Sequence, residues 1–387
     1  MIIVVADDFT GAAELAGIGL SHGMTVELDI EQIGSCTEAD LLVVATDTRS
    51  KKITAAIDEV KEVAEGIKQY NSSLVYKKID SVLRGHILEE TRAMVEVLGM
   101  KGAILVPANP LLGRVIINGN YYVHGELIQH TSFSQDPEFG ISTSSVAELL
   151  SRNGSTPQFR ILKPRNFSGE GTIVVGEASK IEDLDFWAEK TSEGWLPVGA
   201  AGFFESILKR AGRKALKRGR VKKLVDQEGI LYVCGSTFQG SRESVRLASE
   251  AGPYVCFMPE ELFRKGANSQ ECLEEWIDQV RITLEVHGKA VVAVKQDVNS
   301  ENGKSSWIKE QFSRLTAEVL DRTTIHELVI EGGSTASAVL FKLGSKRLKP
   351  FYQFEQGVIR MKVEDRPGMF LTLKPGSYAW PESVWKF

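Results

Sequence analysis

Short β-branched runs alternate with longer amphipathic stretches along almost the whole chain. The pattern predicts strands at Ile2–Ala6, Leu41–Thr46, Leu74–Lys77 and Ala103–Val106, with helices over about Thr10–His22, Ile53–Gln69 and Ile87–Leu98. In the second helix, apolar residues recur at Ile53, Ala56, Ile57, Val60, Ala64 and Ile67, the spacing of one helical face. Strands that are apolar throughout are buried on both faces, so their sheet is parallel and covered by helices. Further strands are predicted at Phe159–Leu162, Thr172–Val175 and Leu196–Val198, with helices near Val146–Arg152 and after Gly202. Tyr121–Phe133 alternates differently around His124-Gly125 and reads as a β-hairpin insertion.

The pattern then breaks. Lys209–Lys223 holds nine Lys/Arg among fifteen residues and no acid. Such a run suits either a phosphate patch or a solvated helix end and linker. The linker is favoured because the whole chain carries 46 Lys+Arg against 51 Asp+Glu, a net charge of -5. A second alternating series follows, with strands at Ile230–Cys234, Lys289–Lys295, Leu328–Ile330 and Met369–Leu373. Its helices are expected at Ser241–Glu250, Glu271–His287, Ser306–Leu320 and Thr335–Leu343. The predicted fold class is α/β, in two lobes, each with a mostly parallel sheet flanked by helices, and a cleft between them. The expected domains are residues 1–208, a basic linker over 209–228, and residues 229–387.

With 387 residues, 43% of them hydrophobic and 25% charged, the chain can bury a large core. Disorder and fibrous architectures are excluded. The acidic balance points away from nucleic acid and towards a small-molecule partner. Cys36, Cys234, Cys256 and Cys272 show no CxxC spacing and read as reduced thiols. The start lacks a basic, long-apolar leader, and no run approaches the roughly 18 apolar residues of a membrane helix. A cytosolic protein without a membrane partner is expected. A homo-oligomer is left open.

Ligands of parallel sheets gather at the carboxyl ends of the strands. Here the first strand leads into Asp7-Asp8-Phe9-Thr10-Gly11, the second into Asp47-Thr48-Arg49-Ser50, and the third into Lys78-Ile79-Asp80-Ser81-Val82-Leu83-Arg84-Gly85. Singly, Asp8 or Thr10 is explained as a helix cap and Asp47 as a turn residue. Together they suit a small, anionic, polyhydroxylated ligand. Arg49, Lys78 and Arg84 would neutralise a carboxylate or phosphate, Asp7, Asp8 and Asp80 would accept hydroxyl hydrogens, and one Asp would serve as general base.

The second lobe offers glycine and hydroxyl turns after its strands: Gly235-Ser236-Thr237, Glu331-Gly332-Gly333-Ser334-Thr335 and Lys374-Pro375-Gly376-Ser377. Glycine admits close backbone approach, and N–H groups at a helix start bind phosphate. One such turn is common in any α/β protein; three point to a nucleotide phosphate site. Asn302-Gly303-Lys304-Ser305 resembles the end of a Walker A loop, but Val298 stands where its first glycine belongs. No GxGxxG follows the first strand, and the six histidines show no metal-ligand spacing.

Six segments in order resemble the four-carbon acid sugar kinases. They are Ala6-Asp7-Asp8-Phe9-Thr10-Gly11-Ala12, Thr46-Asp47-Thr48-Arg49-Ser50, Lys78-Ile79-Asp80-Ser81-Val82-Leu83-Arg84-Gly85, the Val106–Arg114 stretch VPANPLLGR, Glu331-Gly332-Gly333-Ser334-Thr335-Ala336 and Leu373-Lys374-Pro375-Gly376-Ser377. The resemblance implies ATP-dependent phosphorylation of a C4 sugar acid such as threonate, erythronate or 3-oxo-tetronate, with Mg²⁺ carried by the ATP. It implies a sugar-acid-binding N-terminal lobe using Asp7 or Asp8, Arg49, Lys78, Asp80, Ser81 and Arg84. Asp8 is the favoured catalytic base. In the C-terminal lobe, ATP would be held by Ser236, Gly332, Gly333, Ser334, Thr335 and Gly376. The chain departs from the family pattern at Val82 (usually Thr), at His86 (usually Asn), and at Ser377-Tyr378-Ala379-Trp380 after Gly376, where Asn-Phe-Gly is common. A non-catalytic sugar-acid or nucleotide sensor is the rival reading, disfavoured because both the acidic and glycine-rich sets are present. The missing dinucleotide fingerprint disfavours an oxidoreductase.

Overall fold

A computed structural model describes residues 1–34, 37–135, 140–152, 158–169, 172–191, 194–213, 215–216, 224, 227–236, 238–263, 269–295, 304–376 and 378–387. The chain forms two compact units, Met1–Leu216 and Lys217–Phe387.

In the first unit the order is β1 (Ile2–Ala6), α1 (Phe9–Ser21), β2 (Val26–Ile30), β3 (Leu41–Ala45), α2 (Ile53–Ile67), β4 (Leu74–Lys78), α3 (Ile87–Leu98) and β5 (Gly102–Val106). There follow β6 (Arg114–Ile117), β7 (Asn120–Val123), β8 (Glu126–Leu127), α4 (Val146–Leu150), β9 (Arg160–Leu162), β10 (Ile173–Gly176), α5 (Ile181–Lys190), β11 (Trp195–Gly199) and α6 (Ala201–Arg210). The parallel sheet runs β2-β3-β1-β4-β11-β5-β10-β9. Every residue of β1, β3 and β5 is buried, as uniformly apolar strands require when both faces are covered. Ile3, Val5, Leu42 and Val44 pack with Val60, Val63, Ala64 and Ile67 of α2 and Ile87, Leu88 and Met94 of α3. The α2 residues recur at helical spacing, so one face supplies that core.

Strand β2 was not expected. Its VELDI run carries two acids, and Asp29 is nevertheless buried, its Oδ2 accepting the Gly34 N–H at 2.7 Å. The expected hairpin at Tyr121–Phe133 is a three-stranded antiparallel sheet, β6-β7-β8, which begins earlier. Its two turns, Asn118-Gly119 and His124-Gly125, have φ of 49°, 76°, 50° and 86°, the left-handed pairs that tight hairpins need. Asn-Gly is the strongest such signal, and it marks the missed first turn.

The second unit contains β12 (Ile230–Cys234), α7 (Gln239–Ala251), β13 (Val255–Phe257), α8 (Ser269–His287), β14 (Lys289–Ala293), α9 (Lys304–Arg322), β15 (Glu327–Glu331) and α10 (Gly333–Leu343). It ends in β16 (Arg347–Glu355), β17 (Val358–Val363) and β18 (Phe370–Lys374). Its sheet is mixed: β13-β14-β12-β15-β18 are parallel, and β17 and β16 continue antiparallel. The sequence reading missed β13, which is only three residues long, and the β16–β17 hairpin, whose first strand carries Pro350 and alternating charge. The chain is therefore an α/β protein with mostly parallel sheet flanked by helices. Among the described residues, no helix is long and apolar enough to cross a membrane. Cys234, Cys256 and Cys272 are free thiols. Cys36, half of the basic 209–228 stretch, and Asn302-Gly303 lie outside the described residues, and Lys304 opens α9.

Glu327, at the amino end of β15, is fully buried against Arg360, with Nε–Oε2 at 2.8 Å, and accepts the Thr372 hydroxyl at 2.5 Å. Burial pushes its carboxyl up to about 7, against the pull of Arg360 and Thr372. Above its unfolded value of 4.5 the unfolded chain releases this proton first, so the group's contribution to stability falls as pH rises from there towards 7. Comparing urea unfolding of wild type and Glu327→Gln, the wild-type-minus-variant stability should decline between about pH 5 and about pH 7. A constant difference would contradict this.

Candidate active site

In the first unit, the three polar strand ends are neighbours because β3, β1 and β4 are adjacent and in register, with Ala6 opposite both Ala45 and Lys78. Asp8 is the N-cap of α1; its Oδ1 accepts the Gly11 N–H at 2.9 Å. Asp47, at φ 51°, turns the chain after β3 into a short 3₁₀ segment that carries Arg49. That guanidinium is the hub. It grips Asp7 through two bonds, Nε–Oδ2 at 2.9 Å and Nη2–Oδ1 at 3.1 Å, and meets Asp8 Oδ1 at 2.9 Å and Asp80 Oδ1 at 4.0 Å. Burial alone would weaken its charge, but Asp7, Asp8 and Asp80 hold its pKa well above the ordinary arginine value.

After β4 the chain folds tightly, with Leu83 at φ 64° and Gly85 at φ 92°. This brings Arg84 back onto Asp80, with Nε–Oδ2 at 2.6 Å and Nη2–Oδ1 at 3.1 Å. Burial would raise the Asp80 carboxyl, yet Arg84, Arg49 and Lys78 outweigh it and hold the group far below the usual carboxylate range. Lys78 is buried, 3.5 Å from Glu14 Oε2, and its ammonium donates to the Ile79 carbonyl at 3.1 Å. A Cβ at Gly11 would lie 2.9 Å from that ammonium and 2.7 Å from Asp8 Oδ1, so a larger residue there would displace one or both groups. Asp7, Asp8, Arg49, Lys78, Asp80 and Arg84 thus form one electrostatic group. Ser81 joins it from the side, its Oγ accepting from Arg114 Nη1 and its carbonyl from the Tyr121 hydroxyl at 2.5 Å. His86 points elsewhere, its Nε2 2.7 Å from the Lys51 carbonyl.

Arg114 and Tyr121 were not among the candidates. The Gly113-Arg114 end of the VPANPLLGR segment was the available signal for Arg114, but nothing in that segment says which strand end the side chain reaches.

In the second unit, β12, β15 and β18 are adjacent, with Cys234 opposite Glu331 and Glu331 opposite Lys374. The three glycine-bearing turns are therefore side by side. Gly332, at φ 92°, caps α10 and donates its N–H to the Lys374 carbonyl at 2.8 Å. Ser236 and Ser241 hydroxyls donate to the Gly376 carbonyl at 3.2 and 3.3 Å. Thr335 Oγ1 would lie 2.8 Å from a Cβ at Gly235, so its hydroxyl reaches the first turn. Gly333 is buried, and Ser334 is exposed at the start of α10. Ser236, Gly332, Gly333, Ser334, Thr335 and Gly376 thus gather at the ends of adjacent strands. Thr237 and Ser377 lie outside the described residues.

Beneath these turns is a buried pair that was not singled out. Lys374 Nζ meets Glu331 Oε1 at 2.7 Å, and both side chains are almost wholly buried. The ammonium also donates to the carbonyls of Pro375 at 3.0 Å and Tyr378 at 2.5 Å, and sits 4.8 Å from the centre of the Trp380 ring. Burial raises the Glu331 carboxyl, opposed by Lys374 and by the Ser241 hydroxyl bonded to it.

Residues 2–207 match the family described as Sugar-binding N-terminal domain, and residues 231–378 match Nucleotide-binding C-terminal domain. The chain is 26% identical over 381 residues to a D-threonate kinase of Salmonella typhimurium, covering 89% of this chain and 87% of that one. It is 23% identical over 408 residues to a 3-oxo-tetronate kinase of Brucella melitensis, covering 97% and 92%. The solved structure of Haemophilus influenzae protein HI1011 shares the fold, with a TM-score of 0.73 at 20% identity over 99% of this chain and 98% of that one. With a sugar-binding domain followed by a nucleotide-binding domain over nearly its whole length, the chain belongs to the four-carbon acid sugar kinase family.

Proposed function

We propose that this protein transfers the γ-phosphoryl group of ATP to a hydroxyl of a four-carbon sugar acid of the threonate, erythronate or 3-oxo-tetronate type. The observation that carries the reading is the division of chemistry between the units. Three adjacent strand ends of the first hold acids and cations in one network, and three adjacent strand ends of the second open on glycine and hydroxyl turns.

Asp8 takes the proton of the attacking hydroxyl as that oxygen bonds to the γ-phosphorus and ADP leaves. It is favoured over Asp7 because Asp7 is nearly buried and held by two Arg49 bonds, whereas Asp8 is the more exposed of the two. Arg49, Lys78 and Arg84 offer N–H donors to the oxygens of the sugar acid, and Asp7 and Asp80 hold the two arginines in position. Ser81 and Asp80 meet substrate hydroxyls. On the second unit, N–H groups at the start of α10 and around Gly376, with the hydroxyls of Ser236, Ser334 and Thr335, hold the ATP phosphates. Mg²⁺ would travel with the nucleotide, since it favours phosphate oxygens and water over all-protein cages, and it would offset charge on the phosphates. Among the described residues, no cluster of three or more His, Cys, Asp or Glu side chains forms such a cage. Catalysis of this kind comes mainly from positioning and electrostatics. Turnover requires the hydroxyl held by the first unit to meet the γ-phosphate held by the second, so the two-lobed form with a cleft is part of this proposal.

A coupled ADP-release screen over threonate, erythronate and 3-oxo-tetronate isomers should find ATP-dependent turnover with at least one. No turnover across that panel would overturn the reading.

A further inference from the structure

We propose that Arg114, from the three-stranded insertion, recognises the carboxylate of the sugar acid and thereby selects acids over uncharged sugars. The inference rests on the reading given under Proposed function and deepens it.

Four cations belong to the strand-end cluster of the first unit. Three are already matched by carboxylates of the protein: Arg49 by Asp7 and Asp8, Arg84 by Asp80, and Lys78 by Glu14. Arg114 differs, for among the described residues no carboxylate pairs with it. Its one side-chain bond there runs from Nη1 to the neutral Ser81 hydroxyl. A guanidinium carries five N–H donors in a planar fork that matches a carboxylate bidentately, so most of this fork is available to a ligand.

The side chain is also held in place. Its backbone is bridged to Asn109, Asn109 N–H to Arg114 carbonyl at 2.8 Å and Arg114 N–H to Asn109 carbonyl at 3.1 Å. The guanidinium carbon lies 5.5 Å from the centre of the Phe133 ring. The Tyr121 hydroxyl, one strand over, binds the Ser81 carbonyl at 2.5 Å, which fixes the acceptor of Arg114 as well. Arg114 is half-buried, reachable by a small ligand yet partly screened from water. A fixed, uncompensated guanidinium beside a network whose other cations are neutralised is where a ligand's negative charge gains most.

The test uses the full-length protein in the ADP-release assay, with the C4 acid that wild type turns over and its uncharged primary amide as probes. Arg114→Met should raise KM for the acid by about 100-fold, the scale of losing a hydrogen-bonded charge pair, with KM for ATP unmoved. Wild type should prefer acid to amide, the variant should lose that preference, and Arg114→Lys should restore part of it. Arg114→Gln, which keeps a donor for Ser81 but no charge, carries the same expectation should Arg114→Met lose its circular-dichroism signature. An unchanged KM for the acid overturns the proposal. So does a loss shared equally by acid and amide, which would make Arg114 a support for Ser81 only. If wild type turns over no C4 acid, the kinase reading fails and this inference with it; a wild type active on acids whose Arg114 variants bind them normally overturns this inference alone.

Discussion

Asp8→Asn is expected to lower kcat by about 10³-fold, the middle of the range for loss of a general base, while nucleotide affinity stays unchanged. The substitution is informative because asparagine caps a helix as well as aspartate does. The bond from the Gly11 N–H to the Asp8 side chain can persist, so α1 should keep its start. What disappears is the negative charge facing Arg49 and the ability to take a proton. Asp7→Asn is the useful contrast. Asp7 is nearly buried under two Arg49 bonds, so its change should weaken the fold of the strand end together with activity. Steady-state kinetics and fluorescence titration with ATP would check both. Near-normal turnover by Asp8→Asn would remove Asp8 from the mechanism.

Lys374→Met should destabilise the protein by about 3–5 kcal/mol, the cost of leaving a buried charge without its partner. Glu331 would remain in a site with almost no water contact, and the carbonyls of Pro375 and Tyr378 would lose their donor. The Glu331→Gln, Lys374→Met double variant should recover much of the loss, because the uncompensated carboxylate is then absent as well. Since the Lys374 ammonium holds the Pro375 and Tyr378 carbonyls on either side of the Gly376 turn, nucleotide affinity should fall with stability in the single variant. Urea unfolding of the four proteins forms the cycle. A single-variant cost below about 1 kcal/mol, the scale of an exposed ion pair, would show that the pair is not held as described.

Much of the architecture was legible because period and burial coincide. β1, α3 and β12 have the bounds expected from the sequence, and each is marked by clear periodicity or an unbroken apolar run. The elements that escaped notice lack such marks. β2 buries an aspartate, and β16 includes a proline and exposed charges, so neither reads as a strand when residues are counted for apolarity. In the candidate site, polar residues after β1, β3 and β4 could be picked out because strand ends are where parallel sheets hold ligands.

What those residues do to one another was not legible. Arg49, Lys78 and Arg84 read as a set of positive charges awaiting an anion. In the folded unit, Asp7, Asp8, Glu14 and Asp80 meet them first, which leaves Arg114 as the cation without a carboxylate among the described residues. Arg114 is 33 residues from Ser81 along the chain, a separation over which residue order says nothing about contact. The amino-acid order alone determined the alternating α/β plan and which strand ends carry polar chemistry, because hydrophobic periodicity and turn residues are local properties. Only the tertiary structure decided which charges cancel, which stay available and which glutamates are sealed inside. Those outcomes depend on distances and dielectric surroundings that exist once strands far apart in the chain stand side by side.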